Sequence, residues 1–317
     1  MTSRKSHKRS VCTLLYFFAF LLMPSCTTQS RIIKKRVVLA PQKNKIAIDP
    51  PQITVWIHGT RLLRRPLYYR YFNGKPGIKH ATQLPKQYNL TKIAQVLCSE
   101  SRDMHAHEHF YSFGWSGKLN STEREEAAFV LLKELHGLIE RFTIVHNKQP
   151  HLRIIAHSHG GNLALNLAKV AKKCPEYSVL VNQLILLACP VQNQTCSYIS
   201  DPIFRHIYAL YSTLDIVQII APEMSYIVST KSKKICKKLK IPPLSERRFQ
   251  PHPKLAQVKI KINGHALWHA DFVGTTFLKS LDAIIDEIDH WKKESPPLLC
   301  STKQHLLAIY NYPYKIK

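Results

Sequence analysis

Short apolar runs alternate along the chain with longer segments whose apolar residues recur at helical spacing. The runs are rich in β-branched residues and predict strands at residues 53–57, 110–113, 152–156, 184–188, 207–211 and 258–262. The helical segments cover residues 90–98, 122–142, 162–173 and 271–291. Strands that alternate with helices predict an α/β fold, in which a mostly parallel sheet carries helices on both faces.

The predicted elements all fall within residues 51–292, which we assign to a single domain. A chain of 317 residues is long enough for one α/β domain of ordinary size or for two small ones, and it contains no internal repeat. Residues 216–256 interrupt the pattern as a basic, proline-containing excursion, and residues 293–317 are expected to form a C-terminal tail. Thr122 and Glu125 have the spacing of a capping box at the start of one helix.

Residues 1–25 have the pattern of an export signal rather than of a folded segment. Several basic residues come first, and the apolar run at 11–23 is too short to span a bilayer comfortably. The following Met23-Pro24-Ser25-Cys26 resembles the cleavage site of bacterial lipoproteins, although Met23 stands where leucine is usual. This resemblance implies an acylated Cys26, a tether over residues 26–50 and a lipid anchor in the bacterial cell envelope, on its periplasmic or surface face. An ordinary secretory signal and an uncleaved anchor are the alternatives, and each also places the domain outside the cytoplasm.

One predicted strand-to-helix connection has the sequence Ala156-His157-Ser158-His159-Gly160-Gly161. It matches the G-x-S-x-G pattern of a nucleophile elbow, with Ala156 in the first glycine position. Such a turn needs small residues because the flanking backbone comes close, and it raises the Ser158 hydroxyl above the carboxyl edge of the sheet. The turn also aims the N–H of His159 at whatever binds there. The alternative is an ordinary strand-to-helix connection that contains a serine.

Further polar residues follow other predicted strands. Asp215 comes just after the strand at 207–211, and His265 and His269 follow the strand at 258–262. Because the carboxyl ends of parallel strands share one edge, these side chains and Ser158 are expected to converge. Asp215 also has a structural alternative, in which it caps a turn.

Several segments resemble bacterial lipases and lipase-like esterases of the α/β-hydrolase superfamily, over roughly residues 51–292. They are Ile57-His58-Gly59-Thr60, the serine turn, Leu187-Ala188-Cys189-Pro190, Tyr211-Ser212-Thr213-Leu214-Asp215 and the H-x-D-F sequence at 269–272. The resemblance implies a single α/β-hydrolase domain that cleaves carboxylic esters through an acyl-enzyme.

The same resemblance gives each site residue a role. Ser158 would be the nucleophile, His269 the base and Asp215 the group that orients the base. The N–H groups of Thr60 and His159 would form the oxyanion hole. The H-x-D-F match favours His269 over His265, which stays the alternative base. No cofactor and no metal are expected.

The formal net charge is +26, and basic residues are concentrated late in the chain. They include Lys231, Lys233, Lys234, Lys237, Lys238, Lys240, Arg247 and Arg248. This stretch is either a solvated loop or a contact with an anionic membrane surface. A lipid or another acyl ester is the expected substrate, and no nucleic acid partner is expected of an exported hydrolase. The second hypothesis for the whole chain is a catalytically inactive envelope lipoprotein that binds a ligand or an anionic surface.

Overall fold

A ten-stranded sheet runs through the part of the chain that the computed structural model describes. That part comprises residues 32–38, 51–60, 76–86, 89–100, 106–215, 248–294 and 304–310. All of it belongs to one compact unit, Ile32–Lys317. The predicted signal segment, Cys26 and the basic residues from Lys231 to Arg247 lie outside the described residues.

The strands run in the order β1-β10-β8-β7-β6-β5-β2-β4-β3, and β9 pairs with β8 beside this path. Their bounds are β1 Ile32–Val38, β2 Gln52–Ile57, β3 Gly77–His80, β4 Phe110–Gly114, β5 His151–His157, β6 Val181–Leu187, β7 Phe204–Tyr211, β8 Leu255–Ile262, β9 His265–Ala266 and β10 Gln304–Tyr310. Only the pairs β3–β4 and β8–β9 are antiparallel among these strands. The prediction of a mostly parallel sheet is therefore confirmed.

Helices cover both faces of this sheet, as predicted. They are α1 Asn89–Glu100, α2 Ser121–His146, α3 His159–Leu165, α4 Leu167–Lys173, α5 Thr275–Leu278 and α6 Leu281–Glu294. On one face, Leu131 of α2 and Leu163 of α3 share a core with Ile154 of β5. On the other face, Ile284 of α6 and the next residue of β5, Ile155, belong to a second core. The alternation follows from the geometry of a strand, whose successive side chains point to opposite faces.

Two strands lie in segments where the sequence predicts a tether and a tail, and the prediction was wrong there. β1 pairs in parallel with β10, and β10 pairs in parallel with β8. Burial explains β10, because Leu307 and Ile309 are fully buried against the same face as α6. In β1, Lys35 forms salt bridges with Glu287 and Glu294 of α6. The domain therefore extends beyond residues 51–292 on both sides.

Three local predictions also need correction. Asn120 caps α2 by accepting a hydrogen bond from the Thr122 N–H, so the helix starts before the predicted capping box. The helix predicted at 271–291 is instead a 3-10 turn followed by α5 and α6, with Gly274 at the first break. No element is predicted between the strand at 53–57 and the helix at 90–98, yet the short strand β3 lies there.

A buried ion pair connects the sheet to α6. Arg153 in β5 is 0% exposed, and its Nη1 lies 2.7 Å from Oδ1 of Asp282 in α6. Its Nε donates to Oε1 of Gln183 in β6 at 2.7 Å. Burying a charge is costly unless it is paired and hydrogen bonded, and this guanidinium has both kinds of partner.

The described helices include none with the length and apolarity needed to span a bilayer.

Candidate active site

The backbone makes a sharp turn at Ser158, between β5 and α3. Ser158 has φ 55° and ψ −135°, a conformation that costs energy for a residue with a Cβ. Two backbone hydrogen bonds hold the turn: Ser158 N donates to Leu187 O, and Gly161 N donates to Ser158 O, each at 2.9 Å. Positive φ in a non-glycine residue is typical of functional sites, where the surrounding structure enforces it.

Glycines allow this turn to pack closely against the end of β2. A Cβ placed on Gly160 would lie 2.5 Å from the carbonyl oxygen of His58. A Cβ placed on Gly59 would lie 2.7 Å from Cβ of Ser158. Both distances are too short for real contacts, so even alanine at either position would force the backbone apart. The His58-Gly59-Thr60 segment therefore lies directly against the serine.

Asp215 and His269 form a hydrogen-bonded pair. Nδ1 of His269 lies 2.9 Å from each carboxylate oxygen of Asp215, whose side chain is fully buried. Asp271 accepts a hydrogen bond from the Trp268 N–H at 2.7 Å, which holds the turn that presents His269. The other histidine, His265, is exposed on β9. Of the two histidines considered for the base, His269 is the one bonded to Asp215.

His157, the residue before the serine, brings this pair next to the turn. Its ring centroid lies 4.6 Å from that of His269, and its Nε2 donates to the backbone oxygen of His269 at 3.2 Å. Burial, together with the neighbouring His269, holds the pKa of His157 well below the ordinary value. A neutral imidazole is thus wedged between the serine turn and the turn that carries His269.

The two residues predicted to form an oxyanion hole are close to Ser158 along the backbone: His159 follows it, and Thr60 follows Gly59, which packs against it. His159 is the first residue of α3, so its N–H has no acceptor within the helix. Thr60 follows Gly59 and is buried. Burial first, then the charges of Arg124 and His269, lower the pKa of the His159 side chain to about 3.

Sequence reasoning missed three buried residues around this edge, Trp115, Arg124 and Gln192. Trp115 donates from Nε1 to the carbonyl oxygen of His58 at 2.8 Å and stacks on the His58 ring. Arg124, in the first turn of α2, donates from Nη2 to Oε1 of Gln192 at 3.1 Å. Trp115 lies immediately after the end of β4, and this position was the only sequence signal for it.

The described residues contain no group of three or more His, Cys, Asp or Glu side chains placed to hold a metal ion. Four cysteines of the described part are thiols that form no disulfide: Cys98, Cys174, Cys189 and Cys196. Burial raises the pKa of the Cys98 thiol to about 12 and raises that of Cys189 further. A thiol with so high a pKa is a poor nucleophile.

No protein-family model and no curated protein matches the chain. Solved structures that are similar include the esterase LipW from Mycobacterium marinum, with 13% identity over 84% of this chain and 67% of that chain and a TM-score of 0.33. A hormone-sensitive lipase from a metagenome library has 12% identity over 83% and 70%, with a TM-score of 0.31. A putative hydrolase from Legionella pneumophila has 12% identity over 83% and 76%, with a TM-score of 0.33.

The strand order, the helices on both faces and the serine turn after β5 define this domain as an α/β-hydrolase fold.

Proposed function

We propose that the protein is a serine hydrolase that cleaves carboxylic esters through an acyl-enzyme. The observation that carries the proposal is the Asp215–His269 hydrogen bond, made by residues that follow separate strands, beside a strained serine turn. A structural role for Asp215 does not require a histidine at this place. Fold alone does not give function, so the proposal depends on the site.

In the proposed reaction His269 takes the proton of Ser158 through Nε2 as Oγ attacks the ester carbonyl carbon. Asp215 keeps the proton of His269 on Nδ1 and stabilises the imidazolium that forms. When the bond between the carbonyl carbon and the alcohol oxygen breaks, His269 gives its proton to that oxygen and the alcohol leaves. Water then attacks the acyl-enzyme, again with His269 as base, and the acid leaves.

The negative charge of the tetrahedral intermediate would be met by the N–H groups of Thr60 and His159. In comparable enzymes, removing one such donor costs roughly 3–4 kcal/mol of transition-state stabilisation. His157 supports the mechanism indirectly, because its neutral ring donates to the backbone of His269 and limits the movement of the base. We assign it a positioning role.

The substrate class and the location belong to the proposal as well. We propose a lipid or other acyl ester as substrate, an acylated Cys26 that anchors the exported chain to the cell envelope, and contact of the basic stretch with an anionic membrane surface. The sequence patterns described above support these three points.

The test combines labelling with kinetics. The full chain should react with a fluorophosphonate probe at Ser158, and hydrolysis of p-nitrophenyl butyrate should fall on the order of a millionfold in Ser158→Ala and in His269→Ala if the parent is efficient. His265→Ala is the matched control and should stay close to the parent, because His265 is exposed on β9. Variants are compared only at equal thermal stability.

Each other result has a definite meaning. If His265→Ala is inactive while His269→Ala is active, the base has been misassigned but the mechanism is retained. If Ser158→Ala keeps the parent's activity, or if the parent neither reacts with the probe nor hydrolyses esters, the serine-hydrolase proposal fails. The envelope-binding alternative then takes its place.

A further inference from the structure

Arg124 is a buried cation whose hydrogen-bonding capacity is largely unused. Its side chain is 4% exposed, and within the described ranges Nε and Nη1 have no hydrogen-bond partner. Its hydrogen bond to another described residue, from Nη2 to Gln192, is to a neutral amide. The described residues place no carboxylate in contact with this guanidinium. A buried charge without a counter-ion is expensive, and such groups are rarely kept for structural reasons alone.

The chain places Arg124 at the catalytic edge of the sheet. Arg124 lies in the first turn of α2, which begins shortly after the carboxyl end of β4. Its partner Gln192 follows the carboxyl end of β6. Ser158 follows the carboxyl end of β5, the strand between β6 and β2 in the sheet, so all three stand at the same edge.

The electrostatic effect of Arg124 on His159 agrees with this placement. The charge of Arg124 acts on His159, the residue that follows Ser158, and helps to lower the pKa of its ring. Nδ1 of His159 is also buried and, among the described residues, has no hydrogen-bond partner. Two buried side chains, each with nitrogens for which the described residues supply no hydrogen-bond partner, therefore lie at the edge of the sheet that carries Ser158.

We propose that Arg124 binds an anionic group of the substrate, so that the preferred ester carries a carboxylate or a phosphate. Nη2 has a second N–H besides the one given to Gln192, and this N–H forms a parallel pair with that of Nε or of Nη1, the geometry in which carboxylates and phosphates accept two hydrogen bonds. The first turn of a long helix adds a partial positive charge, which also favours an anion. That the anion belongs to a substrate rests on the proposed esterase activity, whereas the existence of an anion site does not.

The kinetic experiment uses two pairs of esters that differ only in charge. In the carboxylate pair, p-nitrophenyl hydrogen glutarate is compared with p-nitrophenyl valerate. In the phosphate pair, butyrylglycerol phosphate is compared with butyrylglycerol. The parent should have the higher kcat/KM for the anionic member of one pair, and that pair identifies the anion.

The variant Arg124→Met keeps the length of the side chain and removes its charge. It should lower kcat/KM for the preferred anionic ester more than for the neutral partner. The difference should be on the order of tenfold to a hundredfold, which corresponds to the contribution of a charged hydrogen bond. Arg141→Met is the matched control, because Arg141 lies exposed on the same helix. Arg124→Lys keeps the cation without the paired N–H groups and should lose part of the preference; it replaces Arg124→Met if that variant does not fold.

A binding measurement separates this proposal from the esterase proposal. Glutarate or inorganic phosphate, at constant ionic strength set with chloride, should raise the thermal midpoint of the Ser158→Ala protein, because a ligand that binds the native state stabilises it. The shift should disappear in Ser158→Ala/Arg124→Met and persist with Arg141→Met. If the parent hydrolyses no ester, this shift alone decides whether the anion site exists.

The proposal is overturned if the parent shows no preference in either ester pair and neither anion shifts the midpoint. It is also overturned if Arg124→Met lowers kcat/KM equally for charged and neutral esters, since Arg124 would then act only through the structure.

Discussion

Arg153 and Arg124 are both buried and both donate a hydrogen bond to a glutamine side chain, but among the described residues only Arg153 contacts a carboxylate. Arg153 is paired with the carboxylate of Asp282 and bonded to Gln183, each at 2.7 Å. Arg124 has one bond to the Gln192 amide and two nitrogens for which the described residues supply no partner. A buried pair compensates most of the cost of removing charge from water, whereas an unpaired cation retains that cost.

Their positions along the sheet explain the difference. Arg153 lies near the start of β5, and Ser158 follows the end of the same strand. Arg124 lies at the end where Ser158, Asp215 and His269 gather. The comparison teaches that the buried arginine within the sheet contacts a carboxylate, whereas the described residues supply none for the buried arginine at the edge that carries Ser158. Substitutions that remove one of these buried charges at a time test this difference.

The largest effect is expected from Arg153→Met. Removing the guanidinium leaves Asp282 buried, and we expect a loss of about 3–5 kcal/mol in the free energy of unfolding. Urea denaturation measures it. The double variant Arg153→Met/Asp282→Leu is the control and should recover most of the loss, because no charge then stays buried. A double variant as unstable as the single one would show that packing, and not charge, is responsible.

An intermediate effect is expected in acid, at the catalytic edge. The pKa of His159 is lowered to about 3 in the folded protein, chiefly by burial, whereas an unfolded histidine titrates near pH 6.5. Above pH 6.5 both states are neutral and nothing changes. Below it the unfolded state takes up a proton that the folded state refuses, so stability falls as the pH decreases from about 6.5 towards 3, by up to about 1.4 kcal/mol per pH unit.

Urea denaturation across this pH range should therefore give a shallower acid dependence for His159→Leu than for the parent. His265→Leu serves as the comparison, because His265 is exposed on β9. Parallel curves for the parent and His159→Leu would contradict the assignment of His159 as a neutral, buried group.

The smallest effect, and the one of opposite sign, is expected from Arg124→Met. The variant loses one bond to Gln192 and removes an unpaired buried charge, so we expect stability to be unchanged or higher by roughly 1 kcal/mol. The free energies of unfolding of Arg124→Met and Arg153→Met, measured under the same conditions, compare the two arginines directly. A loss as large as that of Arg153→Met would mean that both arginines are structural.

The sequence predicts the central strands and the two layers of helices because their physical signals are local. An apolar run such as Leu184 to Leu187 is buried on both faces and has one plausible structure. The signal for β1 is weaker, since Lys34, Lys35 and Arg36 interrupt its apolar residues. β10 has a clear apolar run, but it follows what looks like the final helix, and nothing local tells where such a run will pair.

The residues of the candidate site likewise divide into those with a local sequence signal and those without one. Ser158, Asp215 and His269 have signals in the sequence. Each follows a predicted strand, their chain order is Ser, Asp, His, and small residues surround the serine. The burial of Arg124 has no local signal, because a basic residue in the first turn of a helix ordinarily faces solvent. Its bond to Gln192 joins residues from separate connections and emerges only from tertiary packing. The wedge that His157 forms beside His269 is likewise a property of the fold.

The pairing of β1 with β10 has a consequence for biosynthesis. These strands come from opposite ends of the described chain, yet they lie side by side, and β10 also covers the outer edge of β8. The whole segment between the two strands must therefore have been synthesised before that side of the sheet can close, and a contact of such long sequence separation forms slowly. Until then β8 has an unpaired edge of apolar residues, a surface through which incompletely folded chains can associate.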